Sequence, residues 1–312
     1  MAVISPLRTD TKARVEAQIQ GKGDAKGAIF KILLQLGLLM TIVILGVLLA
    51  QVISDGWGVL ADRGTGFLSA TLRSQADEAG VAQGLRGTMW IGILVVVISF
   101  PLGIAAALYL EEYASKNKLT SFIELNIRNL AGVPAVVYGI LGFSIFVKAL
   151  DGFTGGRTVL AGGITMAILV LPIVIITASE AVRAVPQSLR EAGYGVGATK
   201  WEVIRSHVLP YAAPGILTGT LLSLSRALGE AAPLILVGAV TGRLGQNSGY
   251  FDVGQLQERF TAMPIVIASW SQRPQREFLE NAAAAIIVLL VIVLLANATA
   301  ILLRNRYEKK RS

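Results

Sequence analysis

Six long apolar runs separated by polar stretches set the pattern of this chain, at about 28–53, 85–110, 122–149, 159–185, 213–240 and 282–303. About 20 apolar residues suffice to cross a bilayer as a helix. Every run reaches that length, so the pattern predicts an all-α polytopic membrane protein with six transmembrane helices. The first run carries few polar residues, Lys31 and Gln35 among them, and lacks a small-residue cleavage site. It is also longer than the apolar region of a signal peptide, which predicts an uncleaved first span. Pro101 and Gly103 lie inside the second run, Pro134 with Gly132, Gly139 and Gly142 inside the third, and Pro172 inside the fourth. Bilayer helices tolerate such breakers when neighbouring helices satisfy the freed backbone groups, so these spans are predicted to pack in a bundle with small-residue contacts and a bend at Pro134.

The polar stretches divide the chain accordingly. A tail covers 1–28, the first transmembrane helix 29–54, an extramembrane loop 55–84, a five-helix core 85–303, and a second tail 304–312. Within the core lie a polar island at 186–210 and a mostly polar segment at 241–281. One apolar stretch of that segment, FTAMPIVIASW, is too short to cross and is expected partly in the interface, with Trp270 at headgroup depth.

Composition supports the membrane reading. Apolar residues make up 54% of 312 and charged residues 15%, with a mean hydropathy of +0.63, more apolar surface than a soluble core can use. The absence of Cys removes disulfides, Cys-ligated metal and thiol catalysis. The only His, His207, leaves no His cluster or charge-relay triad and reads as structural or interfacial, so an enzyme is disfavoured.

The net charge of +8 follows the membrane sides. Counting Lys31 with the first tail, eighteen Lys and Arg fall in the two tails, the 114–130 link and the island region, against nine in the alternate loops. Excess basic residues mark the cytoplasm. Both termini and the island are therefore expected to be cytoplasmic and the 55–84 and 241–281 segments periplasmic, with no nucleic-acid partner required.

Two features stand out against this background. The island holds two four-residue patterns, Ser188-Leu189-Arg190-Glu191 and Thr199-Lys200-Trp201-Glu202, that fit the capping box. Gly197 lies between them, where a left-handed helix end costs least. The reading is two short helices joined by a tight turn, the second stopped by Pro210. Ala192, Gly193, Gly195, Gly197 and Ala198 leave an outer surface almost free of side chains, where another protein's backbone can approach, with Glu191 to orient it. The alternatives are a merely solvated loop and a DNA-binding helix-turn-helix, which the attachment of both ends to membrane spans disfavours.

The second feature is Arg226 and Glu230, four residues apart inside an apolar run and so on one helix face. Ionisable residues at membrane depth are costly and face a polar interior. Pro233 removes an amide and crowds the carbonyl of Gly229, opening the backbone beside the pair. The pair is either a neutralising lock between helices or part of an anion path, in which the guanidinium supplies a permanent, planar donor set.

In the island, Glu191-Ala192-Gly193, then Gly197, then Leu209-Pro210 resembles the "EAA" loop of type I ABC importer permeases. Around it, NLAGVPAVVYGILGF, LPIVIITASEAVRAVPQSLREAGYGVGATKWEVIRSHVLPYAAPGILTG and SRALGEAAPL resemble the PstA family of phosphate-importer permeases over about 85–303. The late FTAMPIVIASWSQRPQREFLENAAAAIIVLL is closer to PstA than to PstC. Two departures are Gly193, where the family usually has Ala, and His207, where Ile is common.

The resemblance implies a type I ABC importer permease fold in a bacterial plasma membrane. It implies docking of Glu191, Ala192, Gly193, Gly197, Leu209 and Pro210 on an ATPase, and passage of phosphate near Arg226 and Glu230. Glu230 would balance Arg226 and accept the proton of hydrogen phosphate. The implied partners are a PstC-like permease, a PstB-like ATPase dimer and a periplasmic phosphate-binding protein. No cofactor is expected on this chain: it has no G-x-x-x-x-G-K-[ST], and GYGVGATK lacks the Gly-Lys pair, so ATP and Mg belong to the ATPase. Sulfate or molybdate remains open as substrate. An ion-coupled secondary carrier is the rival from another class, although no internal repeat supports it.

Overall fold

The computed structural model describes residues 25–241 and 252–309. Most of the N-terminal tail, ten residues of the 241–281 segment and the last three residues lie outside them. Among the described residues all regular structure is helical. Five helices are long and apolar enough to cross a membrane, or six if one pair bent by 99° is a single span.

Helix α1 runs Ala25–Ser69 with a kink at Gly64. Its portion up to residue 51 is described by itself: over 28–51 it is apolar all round and exposed, as suits a helix surrounded by lipid or another apolar surface. The sequence pattern ended this helix near Asp55 and placed a loop at 55–84. Instead the helix continues to Ser69, because its polar residues are interspersed with Val59, Leu60, Phe67 and Leu68, which keep an apolar stripe toward the interior. The loop is confined to 70–81, where Arg63 donates to the carbonyls of Ala76 and Ala79 at 3.1 and 2.7 Å.

From residue 52 onward the helices share a continuous interior. Helix α2 (Ala82–Leu108) carries Pro101 without breaking and ends in a wide π turn, Tyr109–Tyr113. Helices α3 (Lys118–Ala131) and α4 (Ala135–Gly142) form the bent pair, and Pro134 sits at the bend with ψ 137°. The expected bend at Pro134 is thus a full break, since Pro biases the residue before it away from helix. A π stretch, Phe143–Ala149, extends α4.

Helix α5 (Val159–Arg183) is the most enclosed, with two-thirds of its most apolar stretch buried. It packs against α2, α4 and their neighbours through Trp90, Ile91, Val95, Tyr138, Met166 and Val170. Glycines allow the close crossings the sequence predicted: a Cβ on Gly142 would stand 2.3 Å from Thr165 Oγ1, and one on Gly139 2.8 Å from Pro233 Cα.

After the island, helix α8 (Leu209–Gly229) is followed by the short α9 (Ala232–Val237). Helix α10 (Met263–Trp270) and the long α11 (Arg276–Lys309) complete the chain. FTAMPIVIASW packs into the protein interior rather than presenting Trp270 on an outer surface. Met263, Val266 and Trp270 are buried, and Trp270 lies between Phe67 and Phe278 with ring centroids 6.2 and 6.1 Å away. Its indole is a core filler. The Met263 amide donates to Thr88 Oγ1 at 2.8 Å, fixing α10 against α2.

Candidate coupling island and membrane arginine

The island folds as two short helices, as its sequence predicts, with different end chemistry. Helix α6 (Gln187–Gly195) starts directly after Pro186, whose fixed φ of −57° launches it. Ser188 is then already inside the first turn, and the capping box expected for Ser188 and Glu191 does not form. Helix α7 (Lys200–Val203) has the expected box. Glu202 accepts from the Thr199 amide at 2.7 Å, and Thr199 Oγ1 accepts from the Glu202 amide.

Between the helices Gly197 takes φ +81°, which no β-carbon obstructs there. The Ala198 amide reaches back to the Gly193 carbonyl at 3.2 Å, the six-to-one bond of a Schellman ending.

Pro210 does not stop the second helix. A π stretch, Ile204–Val208, joins α7 to α8, and the Leu209 amide bonds the Ile204 carbonyl five residues back. The inserted residue shifts the register just where the proline ring would crowd the preceding turn. Helix therefore continues from Lys200 to Gly229, 30 residues, about 45 Å of stiff rod at 1.5 Å per residue.

Of the sequence-predicted docking residues, Glu191, Ala192, Gly197 and Pro210 are exposed and Leu209 is half-buried. Gly193 is not on the outer surface. It is buried, and a Cβ there would lie 2.7 Å from Val203 Cγ2. Ala198 also packs inward, with Val203, Val208 and Ala212, against Ala107, Ala178 and Val182 of the bundle.

What the exposed face offers, and the sequence reading missed, is Val196, 85% exposed, with Trp201 at 55% and Tyr194 at 42%. Aromatic residues in an otherwise polar loop are a signal of a protein interface that the sequence does contain. His207 is exposed on the π stretch.

The span holding Arg226 differs from its prediction. The helix ends at Gly229, Glu230 is extended (φ −85°, ψ 121°), and Pro233 lies in the first turn of α9. Arg226 is therefore in the last turn of α8, where the helix dipole favours a cation. Glu230 is off that helix, so the two do not share a face, and no ion pair joins them among the described residues. The neutralising pair is corrected to two separate charges beside a break.

Arg226 is exposed and Glu230 half-buried. Along α8, Thr218, Leu222 and Arg226 are exposed at helical spacing, while Gly219, Thr220, Ser223 and Ala227 are covered. Ser225, beside Arg226, donates to Asn297 of α11 at 2.8 Å. No group of three or more His, Cys, Asp or Glu suited to a metal occurs among the described residues.

A family model described as "Binding-protein-dependent transport system inner membrane component" matches residues 99–311. Over 175 residues the chain is 31% identical to the probable ABC transporter permease protein YqgI of Bacillus subtilis, covering 56% of this chain and 58% of that one. Over 195 residues it is 37% identical to the phosphate transport system permease protein PstA 1 of Mycobacterium tuberculosis, covering 61% and 62%. The matched stretch thus spans about three-fifths of these relatives' length. Among solved structures, the fold aligns with a chain of a bacterial ABC transporter involved in the import of the acidic polysaccharide alginate. The TM-score is 0.58 at 16% identity, covering 92% of this chain and 98% of that one, a likeness of fold.

Proposed function

The chain belongs to the binding-protein-dependent transport system inner membrane component family, and from that premise we propose that it is the PstA-type permease subunit of an ATP-driven phosphate importer. A second, PstC-like permease shares the translocation path, a PstB-like ATPase dimer binds ATP and Mg, and a periplasmic binding protein delivers phosphate. The chain lies in a bacterial plasma membrane with both termini and the island on the cytoplasmic side. In this reading the chain carries no catalytic step of its own.

The observation that carries the reading is the unbroken helix from Lys200 to Gly229. At one end is an exposed island whose small residues, Ala192 and Gly195, sit beside Tyr194, Val196 and Trp201, a surface fitted to a cleft on another protein. At the other end is an exposed arginine on a span. A charge exposed at membrane depth is tolerated only toward a polar lumen or a partner, so Arg226 faces the path shared with the companion permease.

Movement of the docked island, with Glu191 orienting the contact, tilts the rod and shifts Arg226 relative to Glu230 at the break. The guanidinium offers phosphate oxygens a fixed fork of donors. Glu230, free of Arg226, is available to accept the proton of hydrogen phosphate, which sulfate lacks at neutral pH.

The test is ATP hydrolysis by the reconstituted assembly, stimulated by binding protein presented with phosphate or with sulfate. Stimulation by phosphate alone supports the reading. Equal or greater stimulation by sulfate assigns another oxyanion.

A further inference from the structure

We infer that a buried ion pair, Arg190–Glu112, is the strut that carries island movement into helix α2. The inference rests on the coupling role proposed for the island. Arg190 lies in α6, immediately before the exposed Glu191, and Glu112 lies 78 residues earlier in the π turn that ends α2. Arg190 donates from Nε and Nη2 to Glu112 Oε1 at 3.1 and 2.8 Å. Its Nη1 donates to the Val185 carbonyl at 2.6 Å and its Nη2 to the Val182 carbonyl at 3.0 Å. Only 13% of the arginine side chain and 6% of the glutamate side chain are exposed.

One guanidinium therefore ties three elements at once: the island, the C-terminal end of α5 and the end of α2. The covalent chain already links the island to α5 on one side and to α8 on the other. It makes no such link to α2. The apolar contact there is the cluster of Ile104, Ala107 and Leu108 against Val182, Val203 and Val208, which is non-directional and tolerates sliding. A charged fork with its donors satisfied fixes both distance and angle.

Two outer contacts flank the strut. Arg183, the last residue of α5, donates from Nε and Nη2 to Glu111 at 3.2 and 2.6 Å, with 52% of the arginine and 14% of the glutamate side chain exposed, and Lys200 Nζ lies 4.8 Å over the Tyr113 ring. The first ties α5, not the island, to the end of α2, and the second, between exposed side chains, contributes little. The enclosed pair is the one that transmits, and α2 shares with α8 the interior around Ile91, Val95 and Ala227. Arg190 and Glu112 are positioning residues: they touch neither substrate nor ATP.

The experiment uses the complete assembly in proteoliposomes and reads phosphate taken up per ATP hydrolysed, together with the amount of ATPase that copurifies. The unsubstituted assembly is measured first. An assembly without ATPase-dependent uptake refutes the coupling role, and the strut with it. One that prefers another oxyanion changes the substrate alone, and the ratio is then read with that anion.

Glu112→Gln keeps size and removes the charge. It is expected to leave ATPase copurification unchanged and to lower the uptake-to-hydrolysis ratio at least about tenfold, since a buried guanidinium loses its counter-ion. Arg190→Lys keeps the charge but not the fork, and is expected to lower the ratio less, by about two- to fivefold. A pair that merely holds the fold would lower uptake and hydrolysis together and leave the ratio unchanged. That result, an unaltered transporter, or loss of the ATPase from the complex would each overturn the strut.

Discussion

Gly193→Ala tests the packing of the island, because two effects of opposite sign act on one methyl group. Alanine in place of glycine inside a helix stabilises by about 0.5–1 kcal/mol through lost chain entropy. On the sequence alone that gain is all that counts. In the structure the new Cβ would stand 2.7 Å from Val203 Cγ2, with Cγ1 and Cβ of the same side chain at 3.5 and 3.6 Å. Val203 is fully buried and belongs to the cluster that seats the island on the bundle. A β-branched side chain holds one rotamer in a helix, so it cannot swing aside.

Overpacking of this kind costs about 1–3 kcal/mol. The difference runs from about zero to about 2.5 kcal/mol of loss, and its middle value of about 1 kcal/mol opens the island about 5-fold more often. Hydrogen exchange at the Ala198 amide, bonded to the Gly193 carbonyl, reads that opening directly in the detergent-purified full chain. Exchange is expected to quicken in Gly193→Ala and to return toward the parent rate in Gly193→Ala with Val203→Ala. Slower exchange in the single variant would mean that helix propensity outweighs the contact, and would refute the packing argument.

Other outcomes follow from the same geometry. Arg226→Gln is expected to reduce phosphate uptake at least about tenfold, as loss of a charge-assisted contact does, with Arg226→Lys intermediate; normal uptake with Gln leaves Arg226 as a helix-end charge only. Glu191→Lys is expected to leave the chain in the membrane and abolish ATP-driven uptake in vesicles, and unchanged uptake removes Glu191 from coupling. Thr88→Val preserves volume but strands the buried Met263 amide, at a cost of about 1–3 kcal/mol. The melting temperature of the purified chain is expected to fall by about 2–4 °C for each kcal/mol, and an unchanged value would show that the amide finds another partner.

Much of the architecture was legible because hydrophobic length is a strong signal. The long runs all correspond to helices, and the island's turn was foretold by Gly197 and the Thr199–Glu202 box. Proline was harder to read. Pro134 breaks the chain and Pro101 does not, and Pro210 is absorbed by a π turn that no local rule announces, since satisfaction of the freed carbonyls depends on tertiary neighbours.

The same limit governs Arg226 and Glu230. Their spacing suggested one helix face, but the helix ends between them. The close packing of Pro233 on Gly139, across about a hundred residues of chain, is absent from the local pattern. The burial of Trp270 was not legible, because a short apolar stretch in a polar segment has the same composition whether it meets lipid or a core. Gly193 looked like surface until Val203 was seen beneath it. Arg190 and Glu112 lie too far apart for one sequence to pair them.

The most direct test of the central claim is labelled phosphate uptake into proteoliposomes holding the chain with the proposed PstC-like permease and PstB-like ATPase, with binding protein outside. Uptake is predicted to require ATP on the cytoplasmic side and to persist when ion gradients are collapsed. Phosphate uptake by this chain alone, driven by a gradient and indifferent to ATP, would contradict the coupled-rod mechanism.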